Sequence, residues 1–571
     1  MGWMPILYLE PVPKGIGKSQ LLDFLHRTGG IPRQQIGALQ IETKRAAVEV
    51  PERLIGRLIQ ALNGQTFAGR RMRAWVTPPA TSAASENHFG RLHRLLDLEA
   101  RAEASQAMER IGRLSAGEAE KAGGSLIDLA IEDEYSGLGG RVVLTLVKRN
   151  RTLSLPWTRL GVGSPVLLSE QSVPEAGIRG VVSERGASSI RVAVAEHRDE
   201  FTEGSSWRVD LSSDEVTRDR QRAALQRAEV AGPGRLAELR KLLLGQRQPV
   251  FKPLEPLAVM NEGLNDSQRA AVQFSLAAED VALIHGPPGT GKTTTLVELI
   301  LQCVARGERV LACAPSNMGV DNLLAKLLAS GVSAVRLGHP ARVLPELRAH
   351  TLDALVEEHQ AVRLAHKLVR DALALRRKAG RYTRAKPEPG AKADMRREAG
   401  QLFADARRLE RQAVEQVLDG HSVICGTTTG LHDDLLGDRE FDLVVIDEAA
   451  QSTEPPCWIP LPRCRRLVLA GDPFQLPPTV VSTEAAAQAY GVSLMERLLA
   501  AYGEDLSRML TVQYRMHQSI AGFSSQQFYN GGLEADLSVA GHLLCDLPGL
   551  RGEALTQTPL EFIDTAGANY D

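Results

Sequence analysis

The eight residues Gly286-Pro287-Pro288-Gly289-Thr290-Gly291-Lys292-Thr293 place glycines, a lysine and a hydroxyl at the spacing G-x-x-x-x-G-K-[ST]. Glycines let backbone N–H groups close on phosphate oxygens, and a helix starting at the end of the loop adds the positive end of its dipole. Lys292 is then placed to bridge the β- and γ-phosphates of a nucleoside triphosphate, and the Thr293 hydroxyl to bind Mg2+. A second constellation ends the apolar run FDLVVI: Asp447 and Glu448. Asp447 reads as a further Mg2+ ligand, and Glu448 as the group that orients and deprotonates the attacking water. A surface Asp-Glu pair is the plain alternative, and the apolar residues immediately before it argue against that. The glycine loop alone would arise by chance in roughly a few per cent of chains this long. Its pairing with a strand-end carboxylate couple is what carries the reading.

The elements around these residues have the right kinds. ALIH before the loop is a buried strand, and TTTLVELI after it has helical periodicity. From Gly263 the chain alternates β and α, as an open parallel sheet does. A polar helical insertion, 352–419, interrupts it, and RYTRAKPEPGAKADMRRE divides that insertion into two arms of a helical hairpin. Its arginines and lysines are suited to nucleic acid, although a charge run is more often a solvated face. Upstream, FGRLHRLLDLEARAEASQAMERIGRL and SSDEVTRDRQRAALQRAEV read as helices flanking a β-rich stretch of short strands. That order suggests a small barrel on a two-helix stalk. PILYLEP, GALQIET, RAAVEVP and RRMRAWVTP read as strands, with helices after the first and third. This βαββαβ order is the ferredoxin-like plan shared by RNA recognition motifs.

With 571 residues the chain is too long for one core. Its net charge of −2 gives no global pull toward a polyanion, so any basic surface must be local. One such excess is in residues 1–80, with eleven Lys/Arg against five Asp/Glu. The six cysteines are scattered with no C-x-x-C spacing, which argues against zinc and fits a reducing compartment. No apolar run reaches about 18 residues, and MGWMPILYLEPVP is too short for a signal peptide. The expectation is a cytoplasmic, monomeric protein with no membrane segment.

Beyond these readings, the order of motifs from Leu264 resembles a superfamily-one helicase of the up-frameshift type, most like its immunoglobulin-mu-binding branch. The resemblance rests on LNDSQRAAV, the glycine loop, APSNMGVDNL, RLGHPAR, CGTTTG, VVIDEAAQ, LAGDPFQLPPT and TVQYRMH, and it covers roughly Phe89 to Asp571. It implies ATP and Mg2+ as ligands, with Gln268 reading the adenine and Gln475 near the γ-phosphate. Tyr514 would pack at the nucleotide and Arg515 would reach the γ-phosphate from a second RecA-like lobe. Pro315, Ser316, Asn317, Thr427 and Thr428 would contact single-stranded RNA or DNA, with movement 5′ to 3′. Residues 1–78 in turn resemble the RNA-binding module of DbpA-type DEAD-box helicases, through RTGGIPRQQIGALQIE, AAVEVPE and ALNGQTFAGRRMRA. The third strand, KRAAVEV, lacks the aromatics of the usual RNA-stacking consensus.

The expected layout is a multidomain α/β chain. Residues 1–78 form the RNA-recognition-like module, 79–88 a linker, 89–124 a stalk helix, 125–211 the β-barrel and 212–262 a second stalk helix with connector. Residues 263–508 form a RecA-like P-loop lobe carrying the insertion, and 509–571 begin a second lobe. Only 54 residues follow QYRMH, fewer than a RecA-like lobe needs, so the expectation is either a piece of a longer product or a shortened protein. Two functions stay open beside the helicase: an ATP switch that binds nucleic acid without unwinding, and a small-molecule P-loop kinase or transport ATPase. The last leaves QYRMH and GDPFQLPP unexplained.

Overall fold

The computed structural model describes residues 6–10, 18–29, 31, 39–41, 46–50, 58, 61–62, 66–67, 70–71, 73–76, 87–111, 116–121, 123–136, 142–171, 173–194, 205–211, 215–380, 391–553 and 555–562. Its contacts divide the chain into two units, Met1–Arg91 and Leu92–Asp571.

In the first unit, β1 (Ile6–Glu10), β2 (Leu39–Ile41), β3 (Ala46–Glu49) and β6 (Arg73–Val76) form an antiparallel sheet in the order β2-β3-β1-β6. A short hairpin, β4 (Thr66–Phe67) with β5 (Arg70–Arg71), stands apart from it. Alternate residues of β3, Ala46 and Val48, are buried as a one-faced sheet requires. They share a core with Leu21 and Leu25 of the helix Lys18–Gly29 and with Leu58 and Leu62. The linker segment 79–86 lies outside the described residues.

In the second unit, β7 (Ser125–Ser136), β8 (Val142–Lys148), β9 (Pro165–Glu170), β10 (Val173–Arg185), β11 (Ser189–Val194) and β12 (Trp207–Leu211) close a six-stranded barrel. It is filled by Leu126, Leu144, Leu168, Val182, Ile190 and Val209, among others. Closure leaves no free edge strand. The helices His88–Ile111 and Glu215–Val230 run antiparallel, tied by Arg218–Glu103 and Arg222–Asp97, each at 2.7 Å. Glu99 reaches from the first of them to cap the turn at Val481 and Ser482, accepting from their N–H groups at 2.7 and 2.9 Å.

Beyond the stalk, β13 (Val281–His285), β14 (Val310–Ala314), β15 (Ala334–Arg336), β16 (Val423–Thr427), β17 (Phe441–Ile446), β18 (Cys464–Gly471) and β19 (Ser507–Met509) form one sheet in the order β15-β16-β14-β17-β18-β13-β19. Every pairing in it is parallel. The central strands are buried along their length, as expected where helices cover both faces. Between β15 and β16 the helices Gln360–Gly380 and Ala391–Asp419 pair as a hairpin around Ala365, Val369 and Ala406. After β19 come the helix Gln518–Phe528 and a short parallel pair, β20 (Val512–Gln513) with β21 (Glu534–Ala535). Among the described residues no helix is long and apolar enough to cross a membrane, and no group of three or more His, Cys, Asp or Glu is gathered as a metal site. All six cysteines are free. Burial pushes the thiols of Cys303, Cys425, Cys457 and Cys464 up to about 12, so these are protonated core residues.

Candidate functional site

Open parallel sheets hold ligands at the carboxyl ends of their strands. That edge collects the expected residues here. Gly286–Gly291 follow β13, Asp447 and Glu448 follow β17, and Gln475 follows β18. Pro315–Asn317 follow β14, while Thr427 ends β16 and Thr428 comes next. Because of the strand order, the first three sets lie side by side on one half of the edge and the last two on the other.

In the first half, Gly286 N–H donates to the Gly471 carbonyl at 2.9 Å, tying the loop to the neighbouring strand. The Thr290 hydroxyl donates to the Pro287 carbonyl at 2.7 Å. Gly289 and Gly291 have φ of +79° and +76°. A Cβ on Gly289 would lie 2.6 Å from Arg515 Cβ, and one on Gly291 2.5 Å from Gln268 Nε2. Both conformation and closeness therefore demand glycine. Pro288 is half-buried beside them.

Lys292 opens the helix Lys292–Ala305 and is 9% exposed. Its Nζ lies 3.2 Å from Asp447 Oδ1 and 2.7 Å from Glu448 Oε1, yet it is aligned as a hydrogen-bond donor to neither. A buried ammonium without directed bonds, above a loop with no room for a Cβ, fits an anionic phosphate group. The Thr293 hydroxyl donates to Asp447 Oδ2 at 3.4 Å, so hydroxyl and carboxylate face each other as a divalent-cation pair would. Glu448 sits at φ +54°, a left-handed conformation that costs a non-glycine residue on the order of 1–3 kcal/mol. Asp447 Oδ1 steadies it by accepting the Glu448 N–H at 2.8 Å. Gln451 Nε2 donates to Glu448 Oε2 at 3.1 Å.

Gln268, expected to read a base, is engaged by the chain itself. Its Nε2 donates to the Thr290 carbonyl at 2.9 Å, and its Oε1 accepts the Asn265 N–H at 3.0 Å in a reciprocal cap of the helix Asp266–Ala277. It braces the glycine loop. The segment after β19 folds over the same loop. Leu510 N–H donates to the His285 carbonyl at 2.8 Å and Tyr514 N–H to the Gly289 carbonyl at 2.9 Å. Tyr514 is exposed, and Asn265 Nδ2 donates to its hydroxyl at 3.0 Å. Arg515 is exposed above Gly289, its N–H held by the side chain of buried Gln513 at 2.8 Å.

Gln475 is held by a neighbour that the sequence reading passed over. Its Nε2 donates to Asp472 Oδ2 at 3.0 Å. Asp472 is 2% exposed and also accepts from His285 Nε2 at 3.0 Å and from the Tyr529 hydroxyl at 2.7 Å. Burial pushes its carboxyl up, but hydrogen bonds from His285, Tyr529 and Gln475 outweigh that and hold it below the ordinary range. Burial and then the Asp472 carboxylate push the Tyr529 phenol up.

In the second half, Ser316 caps the helix Asn317–Ala329, its hydroxyl accepting the Gly319 N–H at 3.1 Å. Asn317 Oδ1 accepts from Arg336 Nη2 at 2.9 Å, and buried Arg336 pairs through Nε with Asp321 at 2.9 Å. Pro315 and Thr427 are half-buried. Thr428 is fully buried with its hydroxyl unpartnered, so its side chain does not reach the surface where a strand would lie. Asn317 and Thr427 open into a cleft of about 1080 Å³ walled by the barrel, the stalk helix and the helical hairpin. Seven arginines line it against four carboxylates. Arg179 comes from β10, Arg220 from the stalk and Arg342 from the turn after β15, while Arg407 and Arg411 lie one helical turn apart and exposed on the hairpin. Arg220 also anchors the wall, donating to the Thr429 carbonyl at 2.6 Å.

A parallel sheet with a phosphate loop after its strand β13, a carboxylate couple two strands away and a following segment folded over the loop defines a P-loop nucleotide-binding protein of the helicase-like class. Comparison with known families agrees. Two AAA domain families match residues 263–483 and 490–570, the 1B domain of the helicase SMUBP-2/HCS1 matches 91–212, and the DbpA RNA binding domain matches 13–76. The DNA-binding protein SMUBP-2 of Mesocricetus auratus is 38% identical over 483 residues, 83% of this chain and 48% of that protein. The DNA polymerase alpha-associated DNA helicase A of Schizosaccharomyces pombe is 32% identical over 496 residues, 83% of this chain and 73% of that one. An uncharacterized ATP-dependent helicase of Methanocaldococcus jannaschii is 31% identical over 481 residues, 75% and 70% of the two chains. The chain belongs to this SMUBP-2-type family of up-frameshift-like superfamily-one helicases. It spans about half the length of the SMUBP-2 proteins it matches.

Proposed function

We propose that this chain is a nucleic-acid-dependent ATPase that works as a helicase or translocase on single strands, in the 5′-to-3′ direction that its family resemblance implies. One observation carries the reading. Lys292, Thr293, Asp447 and Glu448 converge under a glycine loop that the 511–517 segment covers, while the other half of the same sheet edge opens into an arginine-lined cleft. Lys292 and the loop N–H groups hold the phosphates of ATP. Thr293 and Asp447 hold Mg2+, which neutralises charge on the transferring phosphoryl group when bound. Glu448 orients and deprotonates the attacking water, Gln475 senses the γ-phosphate, and Arg515 offers a cation from the far side. Tyr514 and Asn265, joined by a hydrogen bond beside the loop, flank the base, and Gln268 sets the loop's shape. Asn317, Thr427, Arg407 and Arg411 contact the strand's phosphates and sugars rather than its base edges, as a sequence-indifferent motor needs. The six free cysteines support a cytoplasmic setting.

The first unit has the ferredoxin-like plan in this reading, supported by its strand order. It binds RNA by charge, because residues 1–80 carry an excess of six positive charges and no aromatic on the third strand. Its contribution to affinity therefore falls steeply with salt. Comparing the full chain with a variant whose Arg70, Arg71 and Arg73 are changed to Gln, at two salt concentrations, tests this. Equal RNA affinities at low salt would return the unit to a scaffolding role. For the whole chain the test is phosphate release with and without single-stranded nucleic acid, followed by strand displacement. A turnover indifferent to nucleic acid contradicts the reading.

A further inference from the structure

Three segments far apart in the chain meet at one buried carboxylate. His285 ends β13, the strand that feeds the phosphate loop. Asp472 and Gln475 follow β18. Tyr529 directly follows the helix Gln518–Phe528, inside the region matched by the second AAA domain family. Asp472 accepts from all three partners, at 3.0 Å from His285 Nε2, 2.7 Å from the Tyr529 hydroxyl and 3.0 Å from Gln475 Nε2, and also from the Phe474 N–H at 3.1 Å. A carboxylate can only accept, so each partner must present a proton to it, and His285 is fixed as the Nε2–H tautomer or as the cation. His285, Asp472 and Tyr529 are all buried, and Phe474 and Phe528 pack around them with ring centroids 5.6 and 6.4 Å from Tyr529.

We propose that Asp472 is a positioning residue for Gln475, and that the Tyr529 hydroxyl is the latch by which the segment after β19 sets that position. The inference rests on the proposed nucleotide site, and its logic is one of counting bonds. With Tyr529 docked, both Asp472 oxygens are occupied: Oδ1 takes His285 and the Phe474 N–H, and Oδ2 takes Tyr529 and Gln475. Withdrawal of Tyr529 removes one of the two donors on Oδ2 of a carboxylate that is 2% exposed with Tyr529 in place. The carboxylate must then turn to recover a donor, and Gln475 turns with it. Movement of the 511–535 segment relative to the sheet is thereby registered at the side chain facing the γ-phosphate, while His285 ties the same carboxylate to the strand that carries the phosphate loop. Hydrogen bonds to a charged acceptor are among the stronger neutral-donor contacts, so the latch is strong enough to be felt in turnover.

Tyr529→Phe removes the hydroxyl and keeps the ring. The expected result in the full chain is a fall of about tenfold or more in kcat for nucleic-acid-stimulated ATP hydrolysis with less than a twofold change in KM for ATP. Phe528→Leu, which disturbs the same aromatic packing without touching the carboxylate, should leave kcat within about twofold. A structural role alone would make the two variants alike, and that result overturns the latch. A second readout does not depend on turnover. Amide hydrogen exchange across residues 472–478 with a non-hydrolysable ATP analogue should be faster in Tyr529→Phe than in the wild type. Unchanged exchange there overturns the latch, whereas absence of hydrolysis by the wild type falls on the proposed function alone.

Discussion

At the ends of β13 and β17, Lys292 Nζ lies 3.2 Å from Asp447 and 2.7 Å from Glu448, the Thr293 hydroxyl lies 3.4 Å from Asp447, and the lysine and Asp447 are almost fully buried. At the ends of β14 and β16 the contrast is plain. Most of the charged groups there come from the barrel, the stalk, the turn after β15 and the helical hairpin, and Arg407 and Arg411 are exposed. The two halves of one edge thus rest on different physics. Phosphoryl chemistry needs charges fixed within tenths of an ångström in a dry site, so its residues lie on short turns directly after rigid strands. Holding a polyanion of any sequence needs only a positive surface of the right width, so its residues can come from anywhere the fold brings together.

The largest effect expected from breaking this contrast lies where it is least obvious. Arg336 lines the cleft, yet it is 1% exposed and paired with buried Asp321. It belongs with the rigid half in character. Arg336→Leu leaves Asp321 as a buried, unpaired charge and should cost about 3–5 kcal/mol of stability, read by chemical unfolding. A loss under about 1 kcal/mol would mean that Arg336 is a solvated cleft residue after all.

Next comes Lys292→Ala. Its ammonium contacts the site carboxylates Asp447 and Glu448 and makes no directed hydrogen bond, so the fold should persist while turnover falls at least about 10²-fold. Near-normal phosphate release by a folded variant would remove the site assignment.

The carboxylate couple gives a finer division. Glu448→Gln should retain nucleotide while losing hydrolysis, because the amide keeps size but not basicity. Asp447→Asn should instead weaken Mg2+-dependent nucleotide binding. Identical defects in affinity and turnover would show that the two side chains do not have separate roles.

The smallest effect belongs to the cleft. Arg407→Ala and Arg411→Ala should each lower nucleic-acid affinity a few-fold, uniformly across sequences, and reduce the salt slope by about 1. Hydrolysis without nucleic acid should not change. Any sequence-selective loss would place base contacts where only backbone contacts are expected.

The same contrast explains what could be read from the residues alone. The phosphate loop, the Asp447–Glu448 couple and the parallel sheet were legible because each needs contiguous residue types in a strand-to-turn context. The barrel was legible as a class, from its short strands. Its first strand, Ser125–Ser136, carries little alternation in the residues, because Asp128 adopts φ +51° and the register shifts at Ile131/Asp133. The bond from Gln268 to the Thr290 carbonyl had no signature in the residues, since its partner is 22 positions away. The cluster of His285, Asp472 and Tyr529 had no local signature, because its members come from three distant segments that only the folded sheet brings together. The cleft arginines were illegible for a similar reason, as an exposed arginine on a helix looks the same whether it faces a cleft or solvent.

The most direct test asks whether the two halves work as one device. Phosphate release by the purified chain is measured with saturating ATP and Mg2+, across a titration of single-stranded RNA or DNA, for the wild type and for the Arg407→Ala/Arg411→Ala double variant. The expected result is hydrolysis that rises with nucleic acid in the wild type, with half-stimulation shifted to higher concentration in the variant and the same maximum. Hydrolysis that ignores nucleic acid, or a variant curve superimposed on the wild type, would show that the cleft and the phosphate loop are not coupled.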